Sequence, residues 1–591
     1  MDFSTTGFTF KRPLFQEGEN HAFQWTRFAN GYQDWRTSSY SLKCVLGLPL
    51  GRPKSSRHQS HPINPQEAIM KRSILFAAAL TLFVQNRVVA AERPNIIIIM
   101  VDDMGFSDIG PYGSEIPTPH LDQLAAGGVR FSQFYNTGRC CPTRASLLTG
   151  LYSHQAGVGW MTSDQGKPGY AGRLNQGCVT IAEVLGPTGY FTAMTGKWHV
   201  GANQGVNPWQ RGFDRTLNLA AGGVHFSNQT GSKGNAKLFL NGETISADDP
   251  RLNPPWYGSD LWTEQGIKFI DEAMAEEKPF FWYLAHCAPH FPLMAPEQTI
   301  AKYRGKYLRG WDKLREQRYA RQIESGLIET NWQLEPRPET IPPWDSLSPD
   351  EQKRYDDMMA IYAAMIEEVD KNVGKLVAAL EQRKQLDNTL ILFLSDNGGN
   401  AESGVKGRYS GEHPGDPHSN VFVGQCWAHL NNTPFRMYKH YNHEGGIASP
   451  LIAHWPAAIQ PRTGPDSWIE TPTHLIDIMA TCVDLGNANY PTKYHGHSIT
   501  PMQGQSLKPL LLGQGNFANR TLFWEHEGNA AIREGAHKLV RLGMKGGWEL
   551  YNIESDRTEQ NNLAANHADT AGSLKAQWNR WAERVGVYPK P

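Results

Sequence analysis

Long apolar runs, an excess of either charge and paired cysteine motifs are all missing from this chain of 591 residues. The longest apolar candidate, Ile74 to Val84, falls well short of the roughly 20 residues that a membrane-spanning helix needs. A formal net charge of −1, with no sustained Lys/Arg run, gives no nucleic-acid-binding surface, so any anion must be held by a local pocket. Seven cysteines, irregularly spaced and without a Cys-x-x-Cys pair, make neither a disulfide framework nor a zinc knuckle. Internal repeats and coiled-coil heptads are absent too. What remains is ordinary globular composition, 40% apolar and 19% charged, in a chain long enough to bury a large core.

An export signal stands in an odd place. Met70-Lys71-Arg72 is a basic start, Ile74 to Val84 an apolar run and Val89-Ala90-Ala91 a small-residue cleavage site. Residues 70–91 are therefore expected to be a signal peptide and the mature protein to be periplasmic or secreted. Residues 1–69 have no helical or strand period, and Met70 is expected to be the true start.

Beyond this point, strand patterns repeatedly end in chemistry. Ile96 to Val101 is a continuous β-branched run, the pattern of a parallel strand buried on both faces, and it ends in Asp102-Asp103. Thr389 to Leu394 repeats it and ends in Ser395-Asp396-Asn397-Gly398-Gly399. In open α/β sheets, ligands bind beyond the carboxyl ends of the strands, so the two tips can meet. Facing carboxylates need a cation between them, and Asp102, Asp103, Asp396 and Asn397 offer only hard oxygen donors. That set suits calcium, or less well magnesium, and argues against zinc. A third strand, Tyr190 to Thr195, leads into Lys197 and His199, and a fourth, Pro279 to Ala285, into His286 and His290. Lys439 precedes Glu444-Gly445-Gly446, whose glycines allow tight backbone approach, and it can reach the same anion as Lys197.

The densest signal is Cys140-Cys141-Pro142-Thr143-Arg144-Ala145-Ser146-Leu147-Leu148-Thr149-Gly150. Pro142 suits a first helical turn, which places Cys140 just ahead of a helix N-terminus, where backbone N–H groups and the Arg144 fork would hold an oxyanion. The stretch resembles the sulfatase signature Cys-x-Pro-x-Arg. Pro208 with Arg211-Gly212-Phe213-Asp214, and Gly504-Gln505-Ser506-Leu507, resemble further blocks of the same family. The likeness to family I, formylglycine-dependent sulfatases covers residues 94–591 and is nearest to bacterial arylsulfatases. Cys141, Val200 and Ala448-Ser449 depart from the family pattern without removing a proposed catalytic group.

The resemblance implies that Cys140 becomes Cα-formylglycine, made by a separate maturation enzyme, and that its hydrate attacks sulfur. Asp102, Asp103, Asp396 and Asn397 would hold calcium, with the modified Cys140 counted among its ligands. Arg144 would support the hydrate and His199 hydrogen-bond it, Lys197 and Lys439 would neutralise sulfate oxygens, and His290 would protonate the leaving oxygen. The substrate would be a sulfated small molecule or glycan. Two rivals stay open: a phosphonate monoester or phosphodiester hydrolase of the same superfamily, and a non-catalytic protein that captures sulfated glycans.

The expected architecture is α/β. Residues 92–515 would form an alkaline-phosphatase-like catalytic domain with a mainly parallel sheet. Residues 516–591 would form a smaller α+β domain, with antiparallel strands at 521–525, 530–542 and 548–553 and a helix over about 570–585 carrying Leu574, Trp578, Trp581 and Val585 on one face. The Gly- and His-rich segment 401–432 reads as an insertion near the metal loop.

Overall fold

Ile96 to Ile99 open the fold, because an unbroken β-branched run can be buried only as a strand covered on both faces. The structure, a computed structural model, describes residues 93–588 except 231–236, 463–466 and 518; the expected leader 70–91 and extension 1–69 lie outside the described residues. The first strand, β1 (Asn95–Val101), is joined by β2 (Val129–Tyr135), β3 (Phe191–Lys197), β4 (Arg215–Leu219), β5 (Leu238–Leu240), β6 (Glu243–Ile245), β7 (Phe280–Ala285), β8 (Thr389–Ser395), β9 (Ala448–His454), β10 (Trp468–Ile469) and β11 (Thr473–His474). They make one sheet in the order β10-β2-β9-β8-β1-β7-β3-β4-β5-β6, with β11 also on β2. Its centre, β8-β1-β7-β3-β4, is parallel, and β9, β5 and β6 run antiparallel to their neighbours.

Alternate side chains of β1 feed two cores, as a period of two requires. Ile97, Ile99 and Val101 pack on one face with the long helix Pro349–Gln382 and the helices Pro119–Ala126 and Gly258–Ala275. Ile96, Ile98 and Met100 pack on the other with the helices Cys140–Thr149, Ile181–Leu185 and Ile476–Leu485. Burial on both faces leaves the strand ends as the sheet's open edge.

After a ribbon of β12 (Lys493–Tyr494) and β13 (His497–Ser498) comes a second sheet, β14 (Thr521–His526), β15 (Asn529–Glu534), β16 (His537–Arg541) and β17 (Trp548–Asn552), all antiparallel in sequence order. The stretch expected as one strand over 530–542 is two strands, because Gly535 takes the left-handed φ of 57° that a tight turn demands and folds it back on itself. The last helix, Ala568–Val585, lays Leu574, Trp578, Trp581 and Val585 on this sheet, against Ala530, Ile532, Leu539 and Leu550. Tyr152 and Ile476 of the large sheet's layer complete that core.

Candidate active site

Register brings the strand tips to one level. Val101 pairs with Ser395 across β1 and β8, so Asp102 and Asp396 leave the sheet side by side, and the Asp396 N–H donates to the Val101 carbonyl at 3.0 Å. On the other flank Met100 pairs with Ala285 of β7, whose loop returns so that the Asp102 N–H donates to the Ala288 carbonyl at 3.1 Å. Next in line, β3 extends two residues beyond its expected end, so Lys197 is its last strand residue and points into the same group.

Three carboxylates meet three cations there, all buried. Lys197 Nζ is paired with Asp102 Oδ2, and Lys439 Nζ lies 2.6 Å from Asp103 Oδ1. Arg144 Nη2 sits 2.7 Å from Asp396 Oδ2 and 3.4 Å from Asp102 Oδ2, while Nη1 donates to the Lys197 carbonyl at 3.0 Å and the Tyr283 hydroxyl at 3.3 Å. The guanidinium is thus turned onto the carboxylates. The expected Arg144 fork open to an external oxyanion is not what forms, because two buried aspartates compete for the same N–H groups at shorter range.

Burial alone would lower Lys197, yet Asp102 and Cys140 carry it above its ordinary value; burial likewise opposes Lys439, which Asp103 and Glu402 raise. Burial works against ionised Asp102 and Asp103 too, but the neighbouring Lys197 and Lys439 respectively hold both below the usual carboxylate range. Asp396 is pushed up by burial and the adjacent Asp102.

The donor set fits a hard cation on one specific observation. Asp102 Oδ1 and Asn397 Oδ1 are buried oxygens with no hydrogen-bond partner, at the tips of adjacent strands. Orphaned buried oxygens are costly unless something positive faces them, and an all-oxygen set suits calcium or magnesium. Asp103 adds its carboxylate, positioned by Asn397 Nδ2 at 2.8 Å and Asn400 Nδ2 at 2.6 Å; its φ of 69° is left-handed, a strain that clusters at functional sites.

Cys140 is the first residue of its helix rather than the residue before it, with the Thr143 N–H closing the first turn on the Arg139 carbonyl at 2.9 Å. Its sulfur, the Cys141 sulfur and a ring nitrogen of His199 lie within 4.8 Å of one another. The neighbouring Cys141 thiol, with His199 and Lys197 alongside, holds the Cys140 thiol well below its ordinary range. His199, also left-handed at φ 56°, is buried with Nδ1 unpartnered.

His290 completes the ring of groups: its donor atom lies within 4.8 Å of those of Asp102 and Asp103. Nδ1 faces the Phe291 carbonyl at 2.6 Å, which fixes the ring, and Nε2 is 3.6 Å from Asp103 Oδ2. Burial lowers it to about 4. Lys439 is delivered by a turn stitched to two sides, its own N–H donating to the Gly399 carbonyl at 3.1 Å and the His440 N–H to that of Gly138 at 2.7 Å. The expected close approach at Gly445-Gly446 is real: a Cβ would stand 2.2 Å from the Met437 carbonyl at one and 2.0 Å from that of Tyr441 at the other. His286 belongs elsewhere: it is buried, feels the charge of Asp260 and is lowered to about 4 by burial.

Cys140, Arg144, Lys197, His199, His290, Lys439, Asp102, Asp103, Asp396 and Asn397 therefore come together. Sequence reasoning passed over Asn400, Glu402 and Tyr283. Glu402, from the 401–432 segment, pairs with Arg139 and stands 3.2 Å from Lys439 Nζ. The one available signal was Asn400, a further amide three residues after Asn397 on the same loop.

Comparison with known proteins identifies related chains. The profile of the family described as Sulfatase matches residues 94–488, and that described as N-sulphoglucosamine sulphohydrolase, C-terminal, matches residues 435–583. An uncharacterized sulfatase of Schizosaccharomyces pombe is 34% identical over 544 residues, 86% of this chain and 96% of the relative. The arylsulfatase of Klebsiella aerogenes is 35% identical over 451 residues, 74% of this chain and 94% of its own. Among solved structures, Ps i-CgsB in complex with k-i-k-neocarrahexaose superposes with a TM-score of 0.60 at 26% identity, over 83% of this chain and 93% of that one.

Proposed function

This chain belongs to the sulfatase family and hydrolyses sulfate esters, and on that premise we propose that it cleaves sulfate monoesters with Cys140 converted to Cα-formylglycine and calcium at the strand tips. The observation that carries this reading is the convergence of Cys140, two lysines, two histidines and unpaired carboxylate and amide oxygens in one buried group.

As a hydrated aldehyde, residue 140 supplies one hydroxyl as nucleophile and a second through which sulfate is released when the aldehyde reforms, a route a thiol does not offer. Asp102, Asp103, Asp396 and Asn397 would hold calcium together with the modified residue, and the ion would polarise a sulfate oxygen. The remaining work falls to the chain's own side chains. Lys197 and Lys439, charged and desolvated, face the oxygens of an ester that would otherwise repel a nucleophile. His199 orients the hydroxyls at residue 140. His290, held by the Phe291 carbonyl, gives its proton to the leaving oxygen; a docked anionic ester favours the protonated ring. Arg144 keeps Asp396 and Asp102 in place.

The substrate is a sulfated small molecule or glycan met outside the cytoplasm, after export directed by residues 70–91. Parallel turnover of an aryl sulfate and an aryl phosphodiester tests the reaction class: faster sulfate cleavage is expected, and faster phosphodiester cleavage overturns the reading.

A further inference from the structure

A third group of metal-capable side chains lies beside the catalytic cluster: His440, His526 and Glu527, whose donor atoms are within 4.8 Å of one another. Two distant segments build it. His440 follows Lys439 in the turn tied to Gly138, whereas His526 ends β14 and Glu527 begins the turn into β15. Asn529 Nδ2 joins them, donating to the His440 carbonyl at 3.2 Å. His440 (φ 90°) and Glu527 (φ 49°) both take left-handed backbone, a cost for a non-glycine residue that the surrounding structure must offset.

His526 carries the argument. Its side chain is fully buried, and neither ring nitrogen completes a hydrogen bond, although the Gly159 carbonyl lies beside it. Leaving a buried polar group unmet is costly, so a ligand is the natural partner. The His440 ring stands edge-on at 5.3 Å. Burial, then the charges of Arg139 and His440, hold His526 well below its ordinary value and so in the neutral form that ligates metals. Arg139, the nearest fixed cation, is already paired with Glu402. Glu527 is aimed from behind: Oε1 accepts the Trp160 indole N–H, while Oε2 lies 3.3 Å from His440 Nδ1, the kind of outer support that orients ligating carboxylates.

We propose that His440, His526 and Glu527 bind a second divalent cation of borderline softness, zinc foremost, beside the catalytic pocket. Two imidazoles and a carboxylate are a zinc donor set that leaves a fourth position for water. They contrast with the all-oxygen strand-tip set, so the two sites sort different ions.

Equilibrium dialysis of the calcium-saturated protein against micromolar zinc chloride, with calcium in excess and bound zinc read by atomic emission, tests this. The parent is expected to hold one zinc that His526→Asn and Glu527→Gln each weaken by at least about tenfold. Cys141→Ser is expected to retain it, which separates this site from the Cys140–Cys141–His199 group. No zinc on the parent, retention undiminished in Glu527→Gln, or loss in Cys141→Ser alone overturns the proposal. Should His526→Asn fail to fold by circular dichroism, Glu527→Gln at its partly exposed position carries the same test.

Discussion

Arg144 is the residue on which the site's charges balance. Its planar fork reaches Asp396, Asp102, the Lys197 carbonyl and Tyr283 at once, which the single ammonium of a lysine cannot do. Arg144→Lys is therefore expected to destabilise the fold by about 3 kcal/mol, the cost of breaking a buried pair, and to lower sulfate ester turnover on the order of 100-fold. Denaturant unfolding reads the first effect; a change within about 0.5 kcal/mol, typical of a surface substitution, contradicts it. Asp102 and Asp396 could be read from the sequence because each sits where a strong strand pattern stops, and Cys140 because Pro142 marks a first helical turn beside it. Where the Arg144 fork turns could not, since that depends on two aspartates brought in by separate strands. Asn400 and Glu402 were hidden for a related reason: an irregular loop has no period, and only the folded chain aims it at Asp103 and Lys439.

Between the two sheets, the short helix Glu444–Ile447 couples the Lys439 turn to the second sheet. Glu444 Oε1 lies 2.8 Å from Lys538 Nζ on β16, and Oε2 lies 2.7 Å from Arg557 Nε and 3.0 Å from the Tyr135 hydroxyl, all buried. Burial would raise Glu444 above its ordinary 4.5, but Lys538 and Arg557 hold it at about 2. A carboxyl depressed in the folded state lends stability that is present above the ordinary value and drains away as the pH falls toward the folded one. Stability should thus fall between about pH 4.5 and 2, and Glu444→Gln should flatten that slope; equal slopes for parent and variant contradict the account. Elements with one dominant pattern were legible, among them β1, β8 and the last helix with its four apolar anchors. The β15–β16 hairpin was not, because the residues flanking Gly535 carry the same alternation on both sides and only its backbone angle reveals the turn.

For the molecule as a whole, the alternation of strands and helices announced a mainly parallel sheet, and the chemistry at four strand ends announced where it would work. Strand order was beyond reach, since nothing local tells β1 that its neighbours are β7 and β8. The second sheet was expected as an adjacent domain, yet it also brings His526 within reach of the charges of Arg139 and Cys140, so its β14–β15 turn helps to form the pocket's surroundings. The account depends most on the chemical state of residue 140, and trypsin cuts on either side of it, after Arg139 and after Arg144. Mass spectrometry of the Cys140–Arg144 peptide, from protein exported by its native host and active on an aryl sulfate, is predicted to find the thiol side chain CH2SH replaced by CHO; an intact thiol in that active protein would contradict the formylglycine mechanism outright.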